Sequence, residues 1–422
     1  MTLFGRGAID EAATPANSRP MEKPVFKGKF TQQEPIPEAA IEAAVAVMRS
    51  GRLHRYNLIG EEEGEVSALE REFAAYTGAR YALAVASGGY AMGCALRALG
   101  VGHGDRVLSN GFTLAPVPGA IASVGADPVF VETTEALTID IDDLAVKARA
   151  SAARVLLLSH MRGHICDMDR LMEVARVHGL QVIEDCAHTM GAAWRGTPSG
   201  RHGVIGCYST QTYKHMNSGE GGLLVSDDAD VMARAIMLSG SYMLFGRHTA
   251  GPSVDRFATV KYETPNVSGR MDHLRAAILR PQLADLPAQV ARWNALYRTL
   301  EEGLRNLPGV RLIERPPQES IVGSSFQFLL PDWSGEAVRA LVAACGARGV
   351  ELKWFGAREP VAFTSRYDSW RYAPPQYLPR TDAILAGLID MRLPLTFSEA
   401  DVRLIGSIIR DEVMGASAQA AE

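Results

Sequence analysis

Tyr81-Ala82-Leu83-Ala84-Val85-Ala86-Ser87-Gly88-Gly89-Tyr90 is the stretch from which the fold can be read. Tyr81 to Val85 is a short apolar run of the kind a buried strand uses, and Ser87-Gly88-Gly89 opens a helix through Leu99 that Gly100 closes. A strand, a glycine turn and a helix N-terminus follow one another in that order. The alternation continues through Arg106 to Ser109, Ala115 to Val124, Asp127 to Val131, Val155 to Ser159, Asp169 to His178 and Gln181 to Glu184. Strands separated by helices of this length predict an α/β fold with a mostly parallel sheet covered by helices on both faces. Ser87, Ser159-His160 and Asp185 then fall at the C-terminal ends of strands, where open α/β sheets form their ligand crevice.

Upstream, a polar leader containing prolines occupies residues 1–36, and Pro37 to Ser50 has helical spacing at Ile41, Val45 and Met48 before Gly51. Ser67 to Gly78 reads as a second amphipathic helix. From Ser268 the pattern becomes a long helical stretch through Leu274, Ile278, Leu279, Leu283 and Leu286, then Val290 to Leu304. Beyond it the chain reads as α+β. Strands are expected at Val310 to Ile313, Ser325 to Leu330 and Glu351 to Trp354, with helices at Gly335 to Gly346 and from Ser398 to about Val413. The expected division is a leader (1–36), a large α/β domain (37–290) whose first helix can pack on the smaller unit, and a small α+β domain (291–422). No internal repeat is present, and the alanine-rich tail is the single low-complexity tract.

The 422 residues carry a formal charge of −5, 47% hydrophobic and 22% charged residues, and no strong run of either sign. That balance excludes a nucleic-acid surface and a polybasic membrane patch, and leaves small molecules and further copies of the chain as expected partners. The start of the chain turns acidic at Ile9-Asp10-Glu11 rather than following a secretory pattern, and no apolar run reaches membrane-spanning length. Cys94, Cys166, Cys186, Cys207 and Cys345 are odd in number and lack the paired spacing of a zinc site, so reduced thiols, no metal and a cytoplasmic location are expected.

The chemistry gathers around Lys214. It closes Tyr208-Ser209-Thr210-Gln211-Thr212-Tyr213-Lys214, precedes Ser218-Gly219-Glu220-Gly221-Gly222, and follows Glu184-Asp185-Cys186-Ala187-His188 by some thirty residues. A lysine among small and aromatic residues, followed by glycines, can project its amine into a pocket and form a Schiff base with an aldehyde cofactor, which points to pyridoxal 5'-phosphate. Asp185, at the end of a strand, can keep a pyridine nitrogen protonated; alone, it would read as a helix cap. His188 can face the same ligand and bond its phenolic oxygen, although a solitary histidine is more often structural. Gly88 and Gly89 at a helix start offer N–H groups to a phosphate, and the Ser209 hydroxyl can join them. Phe112 can stack on the ring or belong to the core, with nothing in the sequence to separate the two.

These residues resemble the DegT/DnrJ/EryC1/StrS aminotransferases, pyridoxal-phosphate enzymes of fold type I. The resemblance runs from about Pro37 to Leu393-Pro394-Leu395 and the final helix. It rests on Glu184 to His188 with Gly191-Ala192, Gly203 to Gly206 leading into Tyr208-Ser209, Lys214, Gly219 to Gly222, and Arg270-Met271 with Ala276-Ala277 and Gln282-Leu283. It implies a mostly parallel seven-stranded sheet plus a smaller α+β domain, and a homodimer with active sites at the subunit interface. It further implies Lys214 as the Schiff-base lysine, Asp185 as the pyridinium partner, His188 against the cofactor oxygen, Ser209 and Gly88-Gly89 at the phosphate, and Phe112 near the ring. The implied reaction moves an amino group from glutamate or glutamine to a keto group of a sugar, nucleotide sugar or cyclitol.

Several segments depart from the family pattern. Its Gly-Thr phosphate turn is here Gly88-Gly89, its Arg-Asn-His-Gly is Leu238-Ser239-Gly240-Ser241-Tyr242, and its Trp-Leu-Thr entry is Gly51 to Asn57. Its Asn-Tyr-Arg-Met becomes Asn266 to Met271, with Asn266 expected to reach a neighbouring subunit's phosphate. His54, Arg55, Tyr242, Arg247, His248 and Trp354 are the substrate candidates, because charged or aromatic residues in altered segments can line the mouth; solvated surface is the plainer reading of each. A non-sugar ketone or aldehyde as acceptor and a non-catalytic binding or regulatory role are the alternatives. Retention of the lysine opposes a sugar dehydratase.

Overall fold

The computed structural model describes residues 23–419; the first part of the expected leader and the end of the tail lie outside the described residues. Its centre is a seven-stranded sheet. In spatial order the strands are Tyr81–Val85, Gly222–Ser226, Ile205–Ser209, Gln181–Asp185, Val155–Ser159, Arg106–Asn110 and Asp127–Val131. The five from Ile205–Ser209 to Asp127–Val131 are mutually parallel, while Gly222–Ser226 runs antiparallel to both of its neighbours. Strands such as Val155–Ser159 are buried along their whole length, as a sheet covered on both faces requires.

The helices start and stop where the local chemistry directs. Asp140, Asp167 and Asp228 accept backbone N–H groups at three N-termini, and Gly51, Gly78 and Gly179 take left-handed φ at three C-termini. Ser87 caps the helix Gly88–Ala98 by accepting from Tyr90 N at 3.0 Å. The two helical stretches expected after Ser268 are one helix, His273–Leu304, which continues through Pro281 and Pro287. Its buried positions, among them Leu279, Leu286, Trp293 and Leu300, keep it docked although both prolines lack an N–H to give. It packs against Glu38–Ser50, Glu65–Thr77 and Glu399–Gln419, so one rod joins the large sheet to the second one.

That second sheet is four-stranded and antiparallel: Arg311–Leu312, Ser325–Leu329, Leu388–Arg392 and Lys353–Trp354. Leu388–Arg392 falls between the strand expected to end at Trp354 and the helix expected from Ser398, where the sequence predicts no element. Its Asp390 and Arg392 break the apolar pattern that marks a strand, and Asp390 is nevertheless fully buried. The described part of the leader wraps rather than dangles. Phe26 and Phe30 pack edge-on against Phe397, and Phe26 N donates to Arg348 O at 2.9 Å. Among the described residues no helix is long and apolar enough to cross a membrane.

Candidate active site

Lys214 lies in the connection between the strands Ile205–Ser209 and Gly222–Ser226. Thr210 N donates to Gly221 O and Ser218 N to Thr210 O, both at 2.9 Å, which pinches the connection into a loop and turns the lysine inward. Its Nζ is 3.1 Å from His188 Nε2. Burial lowers the amine from its ordinary value to about 7; Asp185 opposes this shift, while Arg162 and Arg392 add to it.

Asp185 ends the strand Gln181–Asp185, in register with Ser159 on the parallel neighbour. That register lets Ser159 Oγ donate to Asp185 Oδ2 at 3.0 Å, while Ala187 N donates to Oδ1 at 3.1 Å. Burial raises the carboxyl above its usual range against the opposing pull of Lys214, so a cationic ring N–H is the kind of partner that would restore its charge. Glu184, one residue earlier, points to the other face of the sheet. It receives His160 Nε2 at 3.0 Å and the N–H groups of Gly200, His202 and Gly203 at 2.7 to 2.9 Å, which fasten the loop beneath the site.

Asp185, His188, Lys214, Ser209, Gly88 and Gly89 line one cavity, closed on its apolar side by Met92, Leu114, Pro116, Val117 and Met161. The N–H groups of Gly88 and Gly89 belong to the first turn of a helix and have no intrahelical acceptor. A Cβ at Gly88 would come within 2.8 Å of Ser209 Cβ, so the close approach of backbone to Ser209 depends on glycine. An anion-binding helix start with a serine at one end, a buried carboxylate at the other and an amine between them fit pyridoxal phosphate.

Lys214 and His188 also face a second, smaller cavity on the side of the four-stranded sheet, together with Arg162, Tyr213, Trp293, Ser324 and Arg392, and with Gln33 from the leader. None of these was singled out from sequence. Arg162 follows a strand end in Ser159-His160-Met161-Arg162-Gly163, a turn signal that was available. Arg392 belongs to the strand that the pattern hid.

The other expected site residues lie elsewhere. Phe112 is a core residue, its ring edge-on to Phe355 at 5.1 Å, and Leu114 and Met161 take the cavity wall instead. Arg55 and His248 are buried rather than at a mouth, because Glu70 holds Arg55 through two bonds of 2.9 and 3.0 Å and Arg55 in turn contacts His248 Nδ1 at 3.1 Å. Trp354 packs under the Arg339 guanidinium and donates Nε1 to Ala386 O, far along the small sheet. His54, Tyr242 and Arg247 are exposed, with Arg270 over the Tyr242 ring. Asn266 Oδ1 accepts from Ser268 N and Oγ, and the residue lines neither cavity.

A family-wide sequence description, that of the DegT/DnrJ/EryC1/StrS aminotransferases, matches residues 36–410. The chain is 35% identical over 291 residues, 68% of it and 71% of the relative, to the dTDP-3-amino-3,4,6-trideoxy-alpha-D-glucose transaminase of Streptomyces venezuelae. It is 34% identical over 263 residues, 60% of each chain, to the L-glutamine:scyllo-inosose aminotransferase of Streptomyces griseus. The crystal structure of 3-amino-5-hydroxybenzoic acid synthase superposes with a TM-score of 0.78 at 27% identity, covering 93% of this chain and all of the other.

Proposed function

The chain belongs to the DegT/DnrJ/EryC1/StrS aminotransferase family, and from that premise we propose that it carries an amino group from glutamate or glutamine to a keto group of a sugar, nucleotide sugar or cyclitol, with pyridoxal phosphate held at Lys214. The observation that carries this reading is the amine of Lys214, brought to about 7 and set in one cavity with Asp185 and the Gly88–Ser209 anion cradle. The names of the Streptomyces relatives, which act on a nucleotide sugar and on a cyclitol, support the acceptor class.

Bound there, the cofactor supplies a cationic ring that draws electrons from the bond broken at the substrate carbon. Lys214 spends part of its time neutral near pH 7, so the same Nζ can take a proton from that carbon and return it. His188 Nε2, 3.1 Å from Nζ, shares a hydrogen bond with the amine and fixes its direction. Asp185, pinned by Ser159 and Ala187, presents its negative charge to the ring nitrogen. Gly88, Gly89 and Ser209 hold the phosphate. The apolar wall around Met161 and Val117 keeps water from the ring face.

A homodimer is part of the same proposal. The exposed apolar side chains of Leu53, Ile59, Tyr242, Met243, Leu244 and Val267 support an interface on the face that carries His54 and Asn266, through which these residues would reach a neighbouring subunit's site. Five free, buried thiols support a reducing compartment, the cytoplasm. The test is a half-reaction screen: the cofactor-loaded protein is mixed with single amino donors, and glutamate or glutamine is expected to bleach the Schiff-base absorbance in favour of the amine form of the cofactor. Failure of every donor to do so removes the transamination reading.

A further inference from the structure

The cavity on the far side of Lys214 from the Gly88–Ser209 cradle is walled by two arginines on separate elements. Arg162 sits in the turn after Val155–Ser159, and Arg392 ends Leu388–Arg392. Arg162 is buried, with a backbone φ of 55° that a non-glycine residue takes at a cost of about 1–2 kcal/mol. It donates Nη2 to Asp390 Oδ2 at 2.5 Å, and Gln327 Nε2 holds Oδ1 of the same carboxylate at 2.7 Å. Among the described residues its buried Nε has no hydrogen-bond partner. Arg392 lies 3.9 Å from the centre of the Tyr213 ring and 5.0 Å from that of Phe363, and among the described residues no carboxylate comes within ion-pair distance of it.

Asp390 therefore pairs directly with Arg162 alone, and the charge of Arg392 is offset only in part, by the more distant Asp390 and by Tyr213. An aromatic face contributes about 0.5–2 kcal/mol to a cation, and it does not replace the acceptors that a guanidinium's five N–H donors require. Burial, with Arg162 nearby, already pulls the Arg392 guanidinium below its ordinary value. An anion between the two side chains would relieve this. The cavity of about 30 Å³ has room for a group of a few heavy atoms. That suits a carboxylate.

We infer that Arg162 and Arg392 bind a carboxylate of one of the two substrates beside the carbon on which Lys214 acts. The inference rests on the reading of Lys214 as the reacting amine. A carboxylate there comes either from the amino donor or from an acidic keto acceptor, and both are recognised by the same planar, forked contact. Arg392 is the binding group; Arg162, held in place by Asp390, adds a second positive charge beside it.

The test uses the cofactor-loaded protein, titrated calorimetrically with glutarate and with cyclohexanecarboxylate, each against its carboxamide. Wild type is expected to prefer at least one acid over its amide by about 30-fold or more, in line with charge-assisted hydrogen bonds, and Arg392→Gln to lose that preference while Arg392→Lys keeps part of it. Separate half-reactions then identify the source. A rise of about 30-fold in the half-saturating concentration of glutamate and glutamine in Arg392→Gln assigns the carboxylate to the donor; an unchanged donor step with weakened acidic keto acceptors assigns it to the acceptor. The inference is overturned if wild type shows no preference for acid over amide, or if Arg392→Gln retains it with an unchanged melting temperature. Because the calorimetry needs no turnover, a protein that transaminates nothing still decides the carboxylate site.

Discussion

His188 Nε2 and Lys214 Nζ are 3.1 Å apart at the boundary of two cavities, and burial keeps the imidazole well below its ordinary range, with Lys214 adding to the shift. A neutral ring carries no charge to offer the amine and has one nitrogen free to accept from it, so His188 is expected to act by direction rather than charge. His188→Gln, whose amide oxygen can accept the same bond, should keep turnover within about tenfold, whereas His188→Ala should lose about 100-fold in kcat. Steady-state kinetics on the two variants checks this; equal losses would mean that the bond to Nζ is not what matters.

The position of Lys214 near 7 sets a pH dependence for cofactor loading. The neutral amine is the nucleophile, and a lysine whose value is lowered is neutral above that value and protonated below it. At pH 6 about a tenth of the protein would be competent, at pH 8 about nine-tenths. The rate at which cofactor-free protein takes up pyridoxal phosphate should therefore climb through pH 7 and flatten above pH 8, as followed by Schiff-base absorbance. A rise that continued towards pH 10 would show an amine close to the ordinary lysine value.

Ser159 and Asp185 form a pair that can be split. Asp185→Asn removes the charge proposed to face the ring nitrogen and is expected to lower kcat by about 100-fold or more. Ser159→Ala leaves the carboxyl in place but deletes its 3.0 Å donor, which raises the carboxyl further and should cost about tenfold. The loss in Ser159→Ala should shrink as pH rises, because a carboxyl shifted upward recovers its charge at higher pH. A pH-rate profile of both variants tests the order.

Arg55 tests the division between core and site. Glu70 and Arg55 are both buried, so Arg55→Ala strands a carboxylate that also holds Ala84 N at 2.8 Å. The expected result is a loss of about 3–5 kcal/mol in unfolding free energy, with KM values close to wild type in the folded fraction. Denaturant melts alongside kinetics separate this from a substrate role, which would raise KM and leave stability almost untouched.

What the sequence disclosed and what it hid divide along physical lines. The strand ends that place Asp185, Ser159 and the Ser87 cap were legible because each closes a short apolar run, and Lys214 because a glycine cluster follows it. Arg55 and His248 looked like mouth residues since charge normally means solvent; Glu70, fifteen positions on, is what allows them inside, and pairing across that distance leaves no local pattern. Arg392 was missed for the converse reason. The strand that bears it pairs through Asp390 and Gln327, whose polar side chains satisfy one another only in the assembled sheet.

Gly89 offers a gain rather than a loss. The family sequence carries a threonine where this chain has glycine, and a Cβ at position 89 would find its nearest atoms at 3.9 Å, Ser87 Oγ, and 4.0 Å, Pro116 Cβ, so the site has room for a side chain. The residue is in the first turn of Gly88–Ala98, where a hydroxyl can reach an anion held by the helix start. Replacing glycine also reduces the freedom that the unfolded chain loses on folding. Gly89→Thr should then bind pyridoxal phosphate about three- to tenfold more tightly with kcat preserved, whereas Gly88→Ala, which drives a Cβ to 2.8 Å from Ser209, should weaken it by about tenfold or more. Equilibrium dialysis of the cofactor against the two variants measures both. A matched weakening in Gly89→Thr would show that the phosphate occupies the space above Gly89 itself, and the cradle would have to be redrawn around that position.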